Sequence, residues 1–254
     1  MTSTDNVLVL GSAPDVVRAR GWTREGIDRI VAINNAWGVR PDWDHLVHPK
    51  DFPEARRPVN VSPGQSINGH ADYVPAVNAF GGFVFAGGTM AFTAAYWALH
   101  ALRPRLIAIL GCDMIYPEAG SSHFYGRGGA DPLRADPTLQ SLEAKSARFQ
   151  FLAAEAGCAV VNLSDQPLSR LVAPRVDQAT LAGWTAVDGA RVRAAILTPE
   201  ARDMADQARA REAALGYAVP DGKYWKRMAS FDARALQAVD ALWLASTRSY
   251  AAAA

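Results

Sequence analysis

The sequence predicts an α/β protein, a Rossmann-like and mostly parallel sheet flanked by helices, with a helical appendage at its C-terminal end. Three observations carry this expectation. Short unbroken apolar runs, of which Leu106 to Leu110 (LIAIL) is the clearest, fit strands buried on both faces of a parallel sheet. The runs are followed by turns rich in Gly, Ser or Asn and then by helix-starting residues, the order of repeated strand–helix units. Half of the 254 residues are hydrophobic, enough for one sizeable core. Residues 1–175 are expected to form the Rossmann-like, nucleotide-binding domain, and residues 176–254 a linker with a helical hairpin.

Composition narrows the function classes. Lys and Arg total 26 against 25 Asp and Glu, a balance that argues against nucleic acid or an anionic membrane as the main partner. Two cysteines make no disulfide framework and fit a reducing compartment. The opening MTSTDN lacks the basic and apolar regions of a signal peptide, and no apolar run is long enough to cross a bilayer. The expectation is a soluble cytoplasmic protein.

Val7 to Leu10 reads as the first strand. Gly11-Ser12-Ala13-Pro14-Asp15 then turns into a helix: Gly11 permits close backbone approach, Ser12 can cap, and Pro14 suits a first helical turn. Backbone N–H groups at such a turn are candidates to hold a phosphate or carboxylate; an ordinary strand-to-helix turn is the alternative, because the G-x-G-x-x-G spacing and a Walker lysine are missing. Ile30 to Ile33 is a second strand. At its end, Asn34 and Asn35 offer donors and acceptors to a base or ribose, or else make local turn hydrogen bonds. His45 to His48 alternates like a short strand, and residues three apart on a strand face opposite sides, which argues against a metal site built on His45 and His48.

Residues 49–82 lose periodicity, and a stretch this long fits a lid or acceptor loop. It holds His70, Asp72 and Tyr73 as polar candidates and has a short strand near Val59 to Val61 as an option. Phe83 to Phe85 is expected as a further strand, which Gly87-Gly88-Thr89 turns into an alanine-rich helix able to lie close on the sheet. That turn is a second helix N-terminus, and two such turns on one rim would suit a nucleotide. After the central strand, Gly111-Cys112-Asp113 puts a carboxylate where ligands of open α/β sheets bind.

The polar loop beyond carries Ser121, Ser122, His123, Tyr125 and Arg127. His123 is a candidate general base or acid, with a structural role between Phe124 and Tyr125 as the alternative. Tyr125 is placed to orient a hydroxyl or phosphate, and Arg127 to clamp a phosphate or sugar carboxylate. Leu139 to Ala156 is a helix ended by Gly157, and Val160 to Leu163 the last core strand. Arg175 to Arg193 has no clear period, with Trp184 as a packing residue. Thr198-Pro199 starts a helix that Gly216 ends, and a second helix near Phe231 to Ser246 carries Leu236, Val239, Leu242 and Trp243. That stripe asks for a partner surface, on the domain or on a second copy in a homo-oligomer. Between the two helices, Lys223 to Arg227 (KYWKR) is either a solvated linker or a site for an anion, an acceptor or another subunit.

The order GSAPD, AINNAW, GGT, LGCDMIY, SSHFYG and VVNLSDQPLSRL, each in its strand or turn, resembles the bacterial CMP-sialic-acid-dependent sialyltransferases. Their wider superfamily includes a hydroxymethylpterin diphosphokinase-like domain and phage and bacterial relatives. The resemblance covers roughly Asn6 to Leu171. It implies a variant Rossmann-like sheet, no required cofactor or metal, and donor contacts at Gly11 to Pro14, at Asn34 or Asn35, and at Gly87 to Thr89. The chain departs from that pattern in three places. The family's first turn reads G-N-G-P-S, its catalytic histidine falls where this chain has Arg127, and a catalytic tyrosine aligns with Ile115, next to Tyr116. His123 then takes the base role from a slightly different place, or the reaction differs. Three classes remain: a nucleotide-sugar-dependent glycosyltransferase, a Mg²⁺-dependent diphosphotransferase acting on a pterin-like alcohol, and a non-catalytic, phage-associated binding protein on the same fold.

Overall fold

The computed structural model describes residues 5–116, 121–126 and 135–247. Among these, six strands form one all-parallel sheet: β1 (Asn6–Leu10), β2 (Arg29–Ile33), β3 (His45–Val47), β4 (Ser66–Asn68), β5 (Leu106–Leu110) and β6 (Ala159–Asn162), in the order β4-β3-β2-β1-β5-β6. The helices are α1 (His70–Asn78), α2 (Phe83–Ala86), α3 (Met90–Leu102), α4 (Leu142–Glu155), α5 (Gln178–Ala182), α6 (Ala186–Ile196), α7 (Pro199–Leu215) and α8 (Ala233–Ala245). Short 3-10 turns such as Pro14–Gly21 and Asn34–Gly38 join them. The Rossmann-like α/β class is therefore the fold of this chain.

Unbroken apolar runs make these strands because both sheet faces are covered. Val7 and Val9 of β1, with Ile107 and Ile109 of β5, pack under α1, α3 and α4. Their neighbours Leu8, Leu10, Leu106 and Leu110 face the other way, onto Val16, Ala19, Leu181 and Trp184. The alternation is the period of two of a strand, hidden in the sequence because water reaches neither side. Each fully buried Val, Leu or Ile contributes about 1.5–3 kcal/mol relative to exposure.

Two expected strands are corrected. Phe83 to Ala86 is one helical turn, α2, with Gly82 and Gly87 on either side at φ 87° and 92°. All four of its residues are buried, and an apolar run buried all round does not separate strand from helix by pattern. Val59 to Val61 is not a strand; the edge strand β4 is the polar Ser66–Asn68, held by parallel pairing to β3. The stretch expected as a loop also contains α1, whose period is masked by Pro75 inside it.

The C-terminal helices begin and end as their residues dictate. Thr198 caps α7 by accepting from Ala201 N–H at 3.2 Å, Pro199 takes its first position, and Gly216 ends it in the left-handed conformation. The stripe on α8 has its partner within the chain. Leu236 joins the core under the sheet, and Val239 and Trp243 pack with Phe151 of α4 and Ala205 and Ala208 of α7. Two buried ion pairs cross the same layer, Lys145–Asp240 at 2.6 Å and Arg148–Glu212 at 2.8 Å. Among the described residues no helix is long and apolar enough to cross a membrane.

Candidate functional site

The carboxyl ends of β1, β2, β3 and β5 and the start of α3 line a cleft of about 1010 Å³, at the top of the roughly 300–1,000 Å³ range of small-molecule sites. Strand order explains its position. The chain moves outward from β1 to β4, then returns through α3 to place β5 on the other side of β1. Such a switch point opens a crevice beyond the strand ends.

At the floor of the cleft the two central strands are tied together. Gly11 N–H donates to Leu110 O at 2.8 Å and Ala13 N–H to Gly111 O at 2.9 Å. A Cβ at Gly11 would overlap the Gly111 carbonyl, so the residue must be glycine for the strand ends to approach. The expectation that these amides hold an anion is corrected at both positions, because they are already bonded to β5. In the second turn, Gly88 N–H donates to Thr138 Oγ1 at 3.1 Å, and Thr89 caps α3 by accepting from Phe92 N–H at 3.3 Å.

Gly11, Ser12, Ala13, Asn34, Gly88, Thr89 and His123 line the cleft together. Pro14, Asn35, Gly87, Asp113 and Tyr125 are not among its lining residues. Gly87 faces α4, where a Cβ would meet Lys145 at 3.0 Å. Arg127, with the rest of the glycine-rich loop 127–134, lies outside the described residues.

Asn34 has φ 52°, unusual for a residue other than glycine, and its Oδ1 is buried without a hydrogen-bond partner. His70, another lining residue, has a buried Nε2 in the same condition. Asp113 is 3 % exposed and both carboxylate oxygens lack partners, although its neighbours Cys112 and Met114 border the cleft. Its backbone is pinned by Arg170, which donates N–H to Asp113 O at 3.0 Å and Nε–H to Met114 O at 3.1 Å. Unpartnered buried polar groups are uncommon, so their clustering around one cleft calls for an explanation.

His123 is half-buried, and burial lowers its pKa from the usual imidazole value, which keeps the ring neutral. Its Nδ1 lies 2.8 Å from Ser122 Oγ, and its ring stacks on Tyr125 at 5.0 Å. Phe124 N–H donates to Ser12 O at 2.9 Å and so docks this turn on the first one. Tyr116, whose ring is 6.4 Å from that of His123, also lines the cleft; burial pushes its phenol up to about 12, so it stays a hydrogen-bond donor.

Residues with little or no weight in the sequence complete the walls. Lys50 and Asp51 follow β3, while His70 and Tyr73 come from α1. Burial, then the charge of Asp51, raises the Tyr73 phenol. From the C-terminal segment come Gly222, Tyr224 and Trp225. Tyr224 is 3 % exposed, which corrects the solvated-linker alternative at that residue. The KYWKR composition was the available signal for the last two; Lys50 and Asp51 had only their place after a strand end.

The two histidines weighed for metal have other partners: His45 Nδ1 is 2.8 Å from Ser66 Oγ, and His48 Nδ1 is 2.9 Å from Pro49 O. Among the described residues no group of three or more His, Cys, Asp or Glu is placed to hold a metal ion. No protein-family model matches the chain, and neither a curated protein nor a solved structure matches it. Fold and cleft together define a class, a Rossmann-like α/β protein with a cleft at the switch point of its sheet.

Proposed function

We propose that the protein is a nucleotide-sugar-dependent transferase of the sialyltransferase-like kind, acting in the cytoplasm. The observation that carries the reading is the convergence of both glycine turns, Asn34 and His123 on one cleft at the switch point. The two cysteines, both buried and unpaired, support a reducing compartment.

In this reading the donor lies across Ser12, Asn34 and Thr89. The orphaned Asn34 Oδ1 accepts from an amino or hydroxyl group of the nucleoside, and the bound ligand removes the cost of leaving that atom unpaired. In the tautomer with Nδ1–H donating to Ser122 Oγ, His123 Nε2 is the base. It takes the proton of the acceptor hydroxyl, whose oxygen forms a bond to the anomeric carbon. The bond from that carbon to the phosphate oxygen breaks, and its electron pair leaves with the nucleotide. Tyr116, held protonated, and the Thr89 hydroxyl are lining donors that can meet the charge of the leaving phosphate.

One observation favours the rival diphosphate transfer, which places Mg²⁺ among carboxylates: Asp113 has two unpartnered oxygens. Thermal stabilisation across CMP, UDP, GDP and ATP, each with and without Mg²⁺, separates the two. Metal-independent stabilisation by a nucleoside phosphate is expected. Stabilisation by ATP only with Mg²⁺ transfers the conclusion to the rival, and a flat response to every nucleotide favours a non-catalytic protein.

A further inference from the structure

We propose that Tyr224, in the segment between the last two helices, is a positioning residue for the Gly88–Thr89 wall of the cleft, acting through Asp136 and Thr138. The contacts form a relay. The Tyr224 hydroxyl donates to Asp136 Oδ2 at 3.0 Å. Asp136 Oδ1 accepts the Thr138 hydroxyl at 2.7 Å and the Thr138 N–H at 2.8 Å. With its proton so directed, Thr138 Oγ1 presents a lone pair to the Gly88 N–H at 3.1 Å. Every side chain in the relay is buried, and Thr138 wholly so. Low surrounding dielectric strengthens such a chain and makes any gap in it costly.

Glycine at position 88 has its reason here. Its backbone does not require glycine by a left-handed φ, yet a Cβ would overlap the Tyr224 hydroxyl and lie 2.8 Å from Cζ and 2.9 Å from Thr138 Oγ1. The residue is small so that Tyr224 and Thr138 can close over it. Tyr224 is itself held by stacking on Phe83, ring centroids 6.1 Å apart. The next residue, Thr89, lines the cleft and caps α3, so a shift at Gly88 displaces a ligand-facing hydroxyl together with the first turn of the helix. A residue 88 positions beyond Asp136 in the sequence, and farther still from Gly88, thereby sets the geometry of the second glycine turn.

The ligand arm of the test rests on the donor reading above; the exchange arm does not. In Tyr224→Phe, the Gly88 amide is expected to exchange with solvent at least tenfold faster by NMR, while amides inside α3, at Ala95 and Ala98, stay within twofold. CMP affinity is expected to fall about tenfold in Tyr224→Phe and in Thr138→Val, and no further in the double variant, as for one relay. Gly88→Ala should weaken CMP equally, and do so less in a Tyr224→Ala background, where the overlap with the tyrosine is gone and only the 2.9 Å approach to Thr138 Oγ1 remains. Uniform acceleration of all amides, or none at Gly88, overturns the proposal and assigns Tyr224 a merely structural role. Faster exchange at Gly88 without CMP, UDP, GDP or ATP binding to the unaltered protein upholds the relay and sinks the donor reading. Nucleotide binding that is intact in Tyr224→Phe, with unchanged exchange, does the reverse.

Discussion

The layer between α4, α7 and α8 and the walls of the cleft both bury polar groups, but they treat them in opposite ways. In the helical layer, Arg148 donates to both oxygens of Glu212 at 2.8 Å, to Tyr96 Oη at 2.9 Å and to Phe80 O at 2.6 Å, while Trp243 Nε1–H donates to Glu212 at 2.8 Å. Burial raises the Glu212 carboxyl, and the adjacent Arg148 guanidinium more than offsets that, leaving it below the usual value. Around the cleft, Asn34 Oδ1, His70 Nε2 and both Asp113 oxygens have no partner. Completeness of hydrogen bonding thus distinguishes the Arg148–Glu212 network, rather than the layer as a whole, from the walls of the cleft. The layer has its own weak point, since Asp240 Oδ2 and Gln150 Nε2 are also unpartnered. Burial accordingly pushes the Asp240 carboxyl up even with Lys145 at 2.6 Å.

The most severe way to break the comparison is Arg148→Met, which strands Glu212 in the core. A loss of about 3–5 kcal/mol is expected in urea unfolding, with partial recovery in Arg148→Met/Glu212→Leu. A loss below about 1 kcal/mol would show that the completed network does not hold the layer. Next comes the weak point: Asp240→Asn should cost less than Glu212→Gln, because the Asp240 carboxyl already resists ionisation. The reverse ranking would dissolve the distinction between the two pairs.

On the cleft side, Asn34→Gly keeps the left-handed backbone and removes the orphaned oxygen. Stability should stay within about 0.5 kcal/mol, while binding of the nucleotide selected by thermal shift drops about tenfold. Unaltered binding would show that the orphan atom serves no ligand. For Asn34→Ala the backbone itself is strained, so a further loss of about 1–2 kcal/mol in stability is expected.

The pH dependence is a gentler probe. Burial lowers the pKa values of His45 and His123, so both bind protons less readily in the folded protein. Their contribution to stability is complete above the ordinary imidazole pKa of about 6.5 and is lost as pH falls below it. For the proposed transfer, kcat/KM should fall on acidification with its midpoint below the ordinary imidazole value of about 6.5. A midpoint above 6.5 would remove His123 from the base role. The smallest effect belongs to the surface: Arg209→Ala, which breaks an exposed pair with Glu155 at 2.6 Å, should cost under about 1 kcal/mol and serves as the contrast for Arg148.

Much of the scaffold was legible because its signals are local. The runs at Val7, Ile30, Leu106 and Val160 are strands, and Thr198, Pro199 and Gly216 bound a helix as their backbone chemistry requires. Seven of the candidate positions at the strand ends and loops, Gly11, Ser12, Ala13, Asn34, Gly88, Thr89 and His123, line one cleft. Asp113 and Asn35 were candidates too and are not lining residues, because a strand end specifies a rim but not which way a side chain turns out of it.

Sequence alone therefore determined the α/β class, the parallel strands and the rim where a site belongs, since apolar runs, caps and glycine turns act over a few residues. Tertiary structure alone decided the rest. Phe83 to Ala86 became a helical turn because it is enclosed on every side, and the stripe on α8 found its partner in α4 and α7. The amides of Gly11 and Ala13 were taken by β5, and Tyr224 was brought against Gly88 across the fold. Hydrogen bonds between residues tens to more than a hundred positions apart leave no local pattern, because each end is compatible with many partners until packing selects one.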